Sequence, residues 1–208
     1  RVLVVGGGPV GLAMAGLLAR EGLEPVVVEA REGYSSGSRA ICISRRSLEI
    51  LSWIGASDAV VKKGLGWTSG RSYYRDREIL HFQMPSEAGE RFAPMVNIQQ
   101  YYVEQYVDEA LARIAGPGRV RWSTRLLALT QHAHGVEASV QTPEGTLETI
   151  EADWVVACDG GRSTARDLLG LRLEGMQYEG RYVIVDIEQR TQRPTERLAW
   201  FDPPSNPG

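Results

Sequence analysis

RVLVVGGGPVGLAMAGLLAREGLEPVVVE, residues 1–29, reads as a complete strand–turn–helix–strand unit. Residues 1–5 are aliphatic and mostly β-branched without alternation, the pattern of a strand covered on both faces in a parallel sheet. Gly6-Gly7-Gly8 breaks the run, and Pro9 stands at the first position of a helix, where its missing N–H costs nothing. Residues 9–21 are apolar nearly all round, through Leu12, Ala13, Ala15, Leu17 and Leu18, so a deeply buried helix is expected there, ended by Gly22. Pro25-Val-Val-Val-Glu29 makes the second strand.

Within this unit lies Gly6-x-Gly8-x-x-Gly11, between strand and helix. Gly6 permits the tight turn, Gly8 lets a pyrophosphate approach the backbone, and Gly11 allows close packing of helix on strand. Pro9 and Val10 open the helix, whose free N–H groups and dipole favour phosphate charge. Glu29 ends the second strand 18 residues after Gly11, where a carboxylate accepts hydrogen bonds from an adenosine ribose. Strand, helix, second strand and terminal acid together imply dinucleotide binding. The motif by itself does not separate FAD from NAD.

A second glycine loop follows the apolar run Trp154–Ala157: Asp159-Gly160-Gly161-Arg162-Ser163. If that run is a strand parallel to the first, both loops share the carboxyl edge of one sheet, where ligands of open α/β sheets bind. Ser163 suits the N-cap of a following helix. Taken locally, the same residues also read as a capped turn with a surface aspartate. Arg39, in a polar loop after the ribose-binding strand, is a candidate for neutralising a pyrophosphate or facing a ring system. Taken alone it reads more often as a surface arginine. Gln99 and Gln100 begin an amphipathic helix expected over 99–115, where either amide serves as a cap or as a ligand contact.

Further strands are expected at 71–74, 78–83, 119–122, 125–131, 135–141, 146–150, 181–188 and 197–201, and a helical segment at 45–54. Bulk properties bound the function. With 208 residues, 43% hydrophobic and 24% charged, the chain is long enough for one sizeable core. A net charge of −3 gives no support to nucleic-acid binding. No apolar run approaches the ~20 residues of a membrane span, so a cytoplasmic protein is expected. Cys42 and Cys158 are far apart and read as buried or half-buried thiols, with neither a disulfide framework nor a zinc site. His132 and His134 fall in a hairpin without a third ligand nearby, and read as exposed turn residues. His81 lies in an alternating strand and reads as structural. Tyr73, Tyr74 and Trp200 are candidates to line a substrate cavity.

Taken together, Gly6-Gly-Gly-Pro-Val-Gly11, Ser38-Arg-Ala40, Asn97-Ile-Gln-Gln100 and Ala157-Cys-Asp-Gly-Gly-Arg-Ser163 resemble the group A flavoprotein aromatic hydroxylases. This is the family of para-hydroxybenzoate and phenol hydroxylases. The wording around Arg39–Arg46 and Gln99–Gln105 is similar to the 3-(3-hydroxyphenyl)propionate hydroxylase branch. The resemblance implies an α/β fold: a Rossmann-like FAD-binding domain of three-layer β-β-α organisation, with the start of a mixed-sheet substrate domain. The first would comprise residues 1–70 and 99–171, and the partial β layer residues 71–98 and 172–208. It implies FAD as cofactor, NAD(P)H as co-substrate, O2 and a small aromatic, phenolic substrate as partners, and leaves a homodimer open. One oxygen atom would go to an electron-rich ring and the other leave as water.

Carried over residue by residue, the loop Gly8–Gly11 would hold the pyrophosphate and Glu29 the ribose. Arg31 would lie near the adenosine, Arg39 with Ala40 near the pyrophosphate and flavin, Gln100 on the ribityl side, and backbone near Leu126 at the adenine. Asp159 and Gly160 belong to a motif tied in this family to both FAD and NAD(P)H. No catalytic acid or base follows. Family members also carry a later Gly-Asp motif, which has no counterpart after residue 163. The start on a strand without methionine and the Pro/Gly-rich end FDPPSNPG suggest a truncated chain, expected to bind FAD weakly or not at all and not to turn over. Two rivals stand beside this reading. An NAD(P)-dependent dehydrogenase would need regular βα alternation after Glu29, and a non-catalytic flavin-binding remnant would need no second half.

Overall fold

The computed structural model describes every residue except 38, 40, 177, 181 and 206–208. It opens with β1 (Val2–Val5), α1 (Pro9–Arg20) and β2 (Pro25–Val28). An excursion follows: β3 (Cys42–Ser44), α2 (Arg45–Ser52), α3 (Ser57–Lys63), β4 (Leu65–Trp67), β5 (Ser69–Tyr74), β6 (Arg77–Gln83) and β7 (Met95–Asn97). Then come α4 (Gln100–Ala115), β8 (Val120–Arg121), β9 (Arg125–His132), β10 (Gly135–Gln141) and β11 (Leu147–Ala152). The described chain ends with β12 (Trp154–Ala157), α5 (Thr164–Leu168) and β13 (Arg197–Phe201).

The central sheet has the order β12-β1-β2-β8, and β1 pairs in parallel with both β12 and β2. Strand alternation divides its two faces. Val4 and Val27 point to one side and pack with Ala15 of α1 and Leu111 of α4. Leu3, Val5 and Val28 point to the other and meet Leu126, Ala138, Val140 and Ile150 of the antiparallel meander β11-β10-β9. Each of the buried valine, leucine and isoleucine side chains among these contributes about 1.5–3 kcal/mol of apolar burial. Helices, parallel sheet and meander are thus the three layers expected. The meander occupies the stretch between β8 and β12, so the regular βα alternation of a nicotinamide dehydrogenase does not follow β2.

Two expectations about helices and strands need correction. Helix α1 is not buried all round: Gly11, Leu12, Ala15 and Gly16 are buried, but Val10 is 68% exposed. The helix turns one stripe to the sheet and to Ile54, whose Cδ1 would lie 3.0 Å from a Cβ on Gly16, and its start looks into open space. The strand expected at 181–188 is absent among the described residues of that stretch. Tyr182, Val183, Val185 and Ile187 are exposed, because no described strand lies alongside to pair with them.

Two small sheets complete the chain. One, β3-β7-β4, falls in residues whose short strands sequence periodicity missed. In the other, β13 pairs parallel with β5 and β6 antiparallel with it, a mixed sheet on which Tyr73 stacks against Trp200 at 5.3 Å between ring centroids. Cys42 is exposed on β3, not buried, its Sγ 3.3 Å from Asn97 Oδ1. Its strand is an edge strand of the sheet. Among the described residues no helix is long and apolar enough to cross a membrane.

Candidate dinucleotide site

The turn after β1 is shaped by what its glycines exclude. Gly6 has φ +106, and a Cβ there would lie 2.4 Å from Cys158 O. A Cβ on Gly11 would lie 1.8 Å from Gly6 O, so the helix can sit this close to the strand only with glycine there. Gly8 differs: it is extended (φ −78), it caps α1 with no side chain, and a Cβ on it would meet nothing within 4 Å. Leu12 N–H bonds to Gly8 O at 3.0 Å. The first-turn N–H groups of Val10 and Gly11 are left without intrahelical acceptors, beside Pro9, which has none to offer. The backbone at Gly8 is therefore open to close approach, flanked by N–H donors and at the positive end of a helix dipole.

Glu29 joins this turn to the end of β2. Its Oε2 accepts Gly7 N–H at 2.6 Å, and its Oε1 accepts both the N–H and the Nε–H of Arg31, at 2.9 and 3.0 Å. Burial opposes ionisation, but the bonds from Arg31 and Gly7 and the Arg31 charge outweigh it and hold the carboxyl below its ordinary range. For Arg31 the balance is the same in mirror image: burial disfavours the cation, yet Glu29 and Glu104 raise its pKa. A carboxylate has about four acceptor positions. Three are filled, so Oε2 retains one.

Behind Arg31, Glu104 of α4 is fully buried and accepts Ser35 N–H at 2.6 Å and Gln100 Nε2–H at 2.9 Å, with Arg31 Nη1 at 3.5 Å. Sequence reading missed Glu104. The signal was its place on the stripe Gln100, Glu104, Val107, Leu111, which puts a carboxylate among inward-facing positions. Gln99 N-caps α4 without a side-chain bond, so of the two amides only Gln100 has a partner in this network.

The second loop meets the first at the same edge, as parallel pairing of β1 with β12 requires. Gly160 has φ +80. Asp159 turns both carboxylate oxygens to α5: Oδ1 accepts Ser163 Oγ–H at 2.6 Å and Oδ2 accepts Ala165 N–H at 2.9 Å. Ser163 is the N-cap, accepting Arg166 N–H at 3.0 Å. Burial, with the neighbouring Asp159 charge, pushes the Cys158 thiol up, which keeps it protonated.

Between the loops is a cavity of about 410 Å3, within the size range of small-molecule sites. Gly6, Gly8, Pro9 and Val10 line it from the first loop, and Glu29 and Arg31 from the end of β2. Arg39, Gln100, Leu126, Asp159 and Gly160 complete the set expected from sequence. Gly11 lies beneath the turn, and Ala40 falls outside the described residues. Thr124 and Arg125 also line it and were not foreseen, and Cys158 and Arg162, expected only as members of the second-loop motif, line it as well. Arg39, Arg125 and Arg162 make the rim cationic. A second cavity of about 500 Å3, at the outer edge of β12 against Leu129, Trp154 and Leu169, has no phosphate-binding turn. His132, near it, pairs with Glu137 at 3.2 Å across the β9–β10 hairpin.

Comparisons with known proteins agree with this geometry. The sequence profile of a family described as FAD binding domain matches residues 1–203. A 3-(3-hydroxy-phenyl)propionate/3-hydroxycinnamic acid hydroxylase of Mycolicibacterium smegmatis is 33% identical over 89% of this chain and 33% of its own. Pentachlorophenol 4-monooxygenase of Sphingobium chlorophenolicum is 31% identical over 86% of this chain and 33% of its own. Among solved structures, the flavin-dependent monooxygenase PieE, in complex with FAD and substrate, superposes with a TM-score of 0.75 at 27% identity, covering 85% of this chain and 33% of that one. The p-nitrophenol 4-monooxygenase PnpA of Pseudomonas putida DLL-E4 gives 0.73 at 28% identity, covering 85% and 45%. The chain spans about a third of the length of the curated relatives it matches.

Proposed function

Because this chain belongs to the FAD binding domain family, we propose that its crevice holds the ADP half of FAD within an NAD(P)H-dependent aromatic monooxygenase. The observation that carries the reading is the pairing of open, donor-lined space over Gly8 with a buried Glu29 carboxylate that keeps one acceptor position. These residues fit the cofactor. Pyrophosphate suits the helix start and the cationic rim, and a ribose hydroxyl suits Glu29 Oε2. The chemistry FAD supplies when bound is acceptance of two electrons from NAD(P)H and use of O2 to place one oxygen atom on a ring, the other leaving as water.

The chain's own residues bind and orient. Gly8, Val10 and Gly11 offer backbone donors, Glu29 an acceptor for ribose, and Arg39 a guanidinium for the pyrophosphate. Arg31 holds Glu29 ionised, the stretch at Leu126 walls the adenine end, and Gln100 faces the ribityl chain. Asp159 acts at one remove, by fixing the loop through Gly160. A phenolic substrate is favoured by the relatives' substrates, hydroxyphenylpropionate and pentachlorophenol. Residues 1–70 and 99–171 are proposed as the cofactor domain, and residues 71–98 and 172–208 as a part of the substrate layer, in a cytoplasmic enzyme. The 208 residues alone are proposed to bind FAD weakly and not to turn over.

Equilibrium titration with FAD and with NAD+ tests the reading. Saturable uptake of FAD with none of NAD+ is expected; preference for NAD+ would overturn it. Robust phenol-coupled NADPH oxidation by the 208-residue chain would contradict the last proposal.

A further inference from the structure

Gln100 lines the cavity from the first turn of α4, and Glu104 lies one turn further on the same stripe. Glu104 is fully buried, at a position where the stripe continues as Val107 and Leu111, both also at 0% exposure. An aliphatic side chain would pack there without the desolvation cost of a carboxylate. What the carboxylate adds is chemical polarity. It only accepts hydrogen bonds, so it engages the NH2 end of the Gln100 amide, Nε2 at 2.9 Å. The amide cannot flip without setting oxygen against oxygen. Its carbonyl is therefore the end left for the cavity.

The anchor is itself held. Ser35 N–H and Arg31 Nη1 approach Glu104 Oε2, leaving Oε1 for Gln100. Arg31 also bonds Glu29, so one guanidinium connects the ribose-facing carboxylate to the amide's anchor.

Resting on the FAD reading above, we propose that Glu104 is a positioning residue that locks the Gln100 side-chain amide with its carbonyl presented, as a fixed acceptor, to a hydroxyl of the bound cofactor. Glu104 does not touch the ligand; it decides which end of Gln100 does.

A double-substitution cycle on FAD affinity, followed by flavin fluorescence with the 208-residue chain, tests this. Glu104→Gln and Gln100→Met are each expected to weaken FAD about tenfold, the size of one lost hydrogen bond, and the pair together to weaken it no further. A Glu104→Gln chain that binds FAD as tightly as the unmodified one overturns the proposal. So does a double variant showing the product, about a hundredfold, since a merely structural Glu104 would act independently of Gln100.

A second readout needs neither FAD nor a folded variant. In the 15N-labelled unmodified chain, the Gln100 side-chain amide protons are expected to exchange slowly with water, and free, fast exchange overturns the anchoring. If the unmodified chain takes up no FAD, the cofactor reading falls, while the Gln100 exchange rate still decides whether Glu104 anchors the amide.

Discussion

Glu29 Oε2 accepts the Gly7 N–H at 2.6 Å, fastening the end of β2 to the turn that follows β1. The contact exists because Gly7 has no side chain: a Cβ would lie 2.9 Å from Glu29 Cβ. Two segments 22 residues apart thus form one rigid edge.

Glu29→Gln keeps the shape and breaks the electrostatics. Its amide cannot accept from both Gly7 and Arg31, so a buried donor loses its partner, at about 1–3 kcal/mol. Because the folded carboxyl sits below its ordinary range, its contribution is present above that range and fades as pH falls through the lower folded value. Thermal unfolding against pH should show the unmodified chain losing its margin over Glu29→Gln in acid. A margin independent of pH would contradict the assignment.

Glycine positions separate shape from ligand. Gly11→Ala forces a Cβ into Gly6 O and should cost about 3 kcal/mol, a fall of roughly 6–12 °C in Tm. Gly8→Ala meets open space and should leave Tm unchanged while weakening FAD about tenfold or more. Calorimetry and FAD titration of both variants check this. Equal Tm losses would mean the space over Gly8 is not reserved for a ligand.

Asp159 is built into the cap of α5, with Ser163 and Ala165 as its donors. Asp159→Ala should lower stability by about 1–2 kcal/mol, and Asp159→Asn, which keeps one acceptor, by less. Denaturant unfolding measures both. Loss of FAD affinity with no loss of stability would assign Asp159 to the ligand instead.

On α4, Asp108 accepts Tyr34 O–H at 2.9 Å. Burial, with Glu109 nearby, raises its pKa despite that bond, and burial together with Asp108 raises Tyr34's. A raised carboxyl penalises the folded state fully above its folded pKa, and the penalty fades as pH falls through that value and is gone below the ordinary one. Asp108→Asn should therefore raise Tm slightly at neutral pH, by about 1–2 °C. The gain should vanish in acid; a loss at neutral pH would contradict it.

Local pattern made much of this legible. β1, α1, β2 and β12 came out within a residue or so, because aliphatic runs punctuated by glycine and proline carry their own boundaries. The same runs placed the Asp159 loop beside the Gly6 loop only on condition that β12 lies parallel to β1, and the β1–β12 pairing meets that condition. Three-residue strands such as Cys42–Ser44 and Met95–Asn97 were not legible, since their partner lies across the excursion and their alternation is too short to register. The stretch at 181–188 has the β-branched, apolar composition of a strand, but a strand also needs a neighbour. Glu104 escaped for a different reason: a charged residue on a buried stripe becomes informative only when Ser35, Arg31 and Gln100 are seen converging on it.

The central claim is that the crevice between the two glycine loops holds FAD. The most direct measurement is a 15N–1H amide map of the chain titrated with FAD. Shifts are expected to concentrate on Gly6–Gly11, Glu29, Arg31, Arg39, Leu126 and Gly160, with residues around Trp154 and Leu169 at the second cavity unmoved. Shifts centred on that second cavity, or none at saturating FAD, would contradict it.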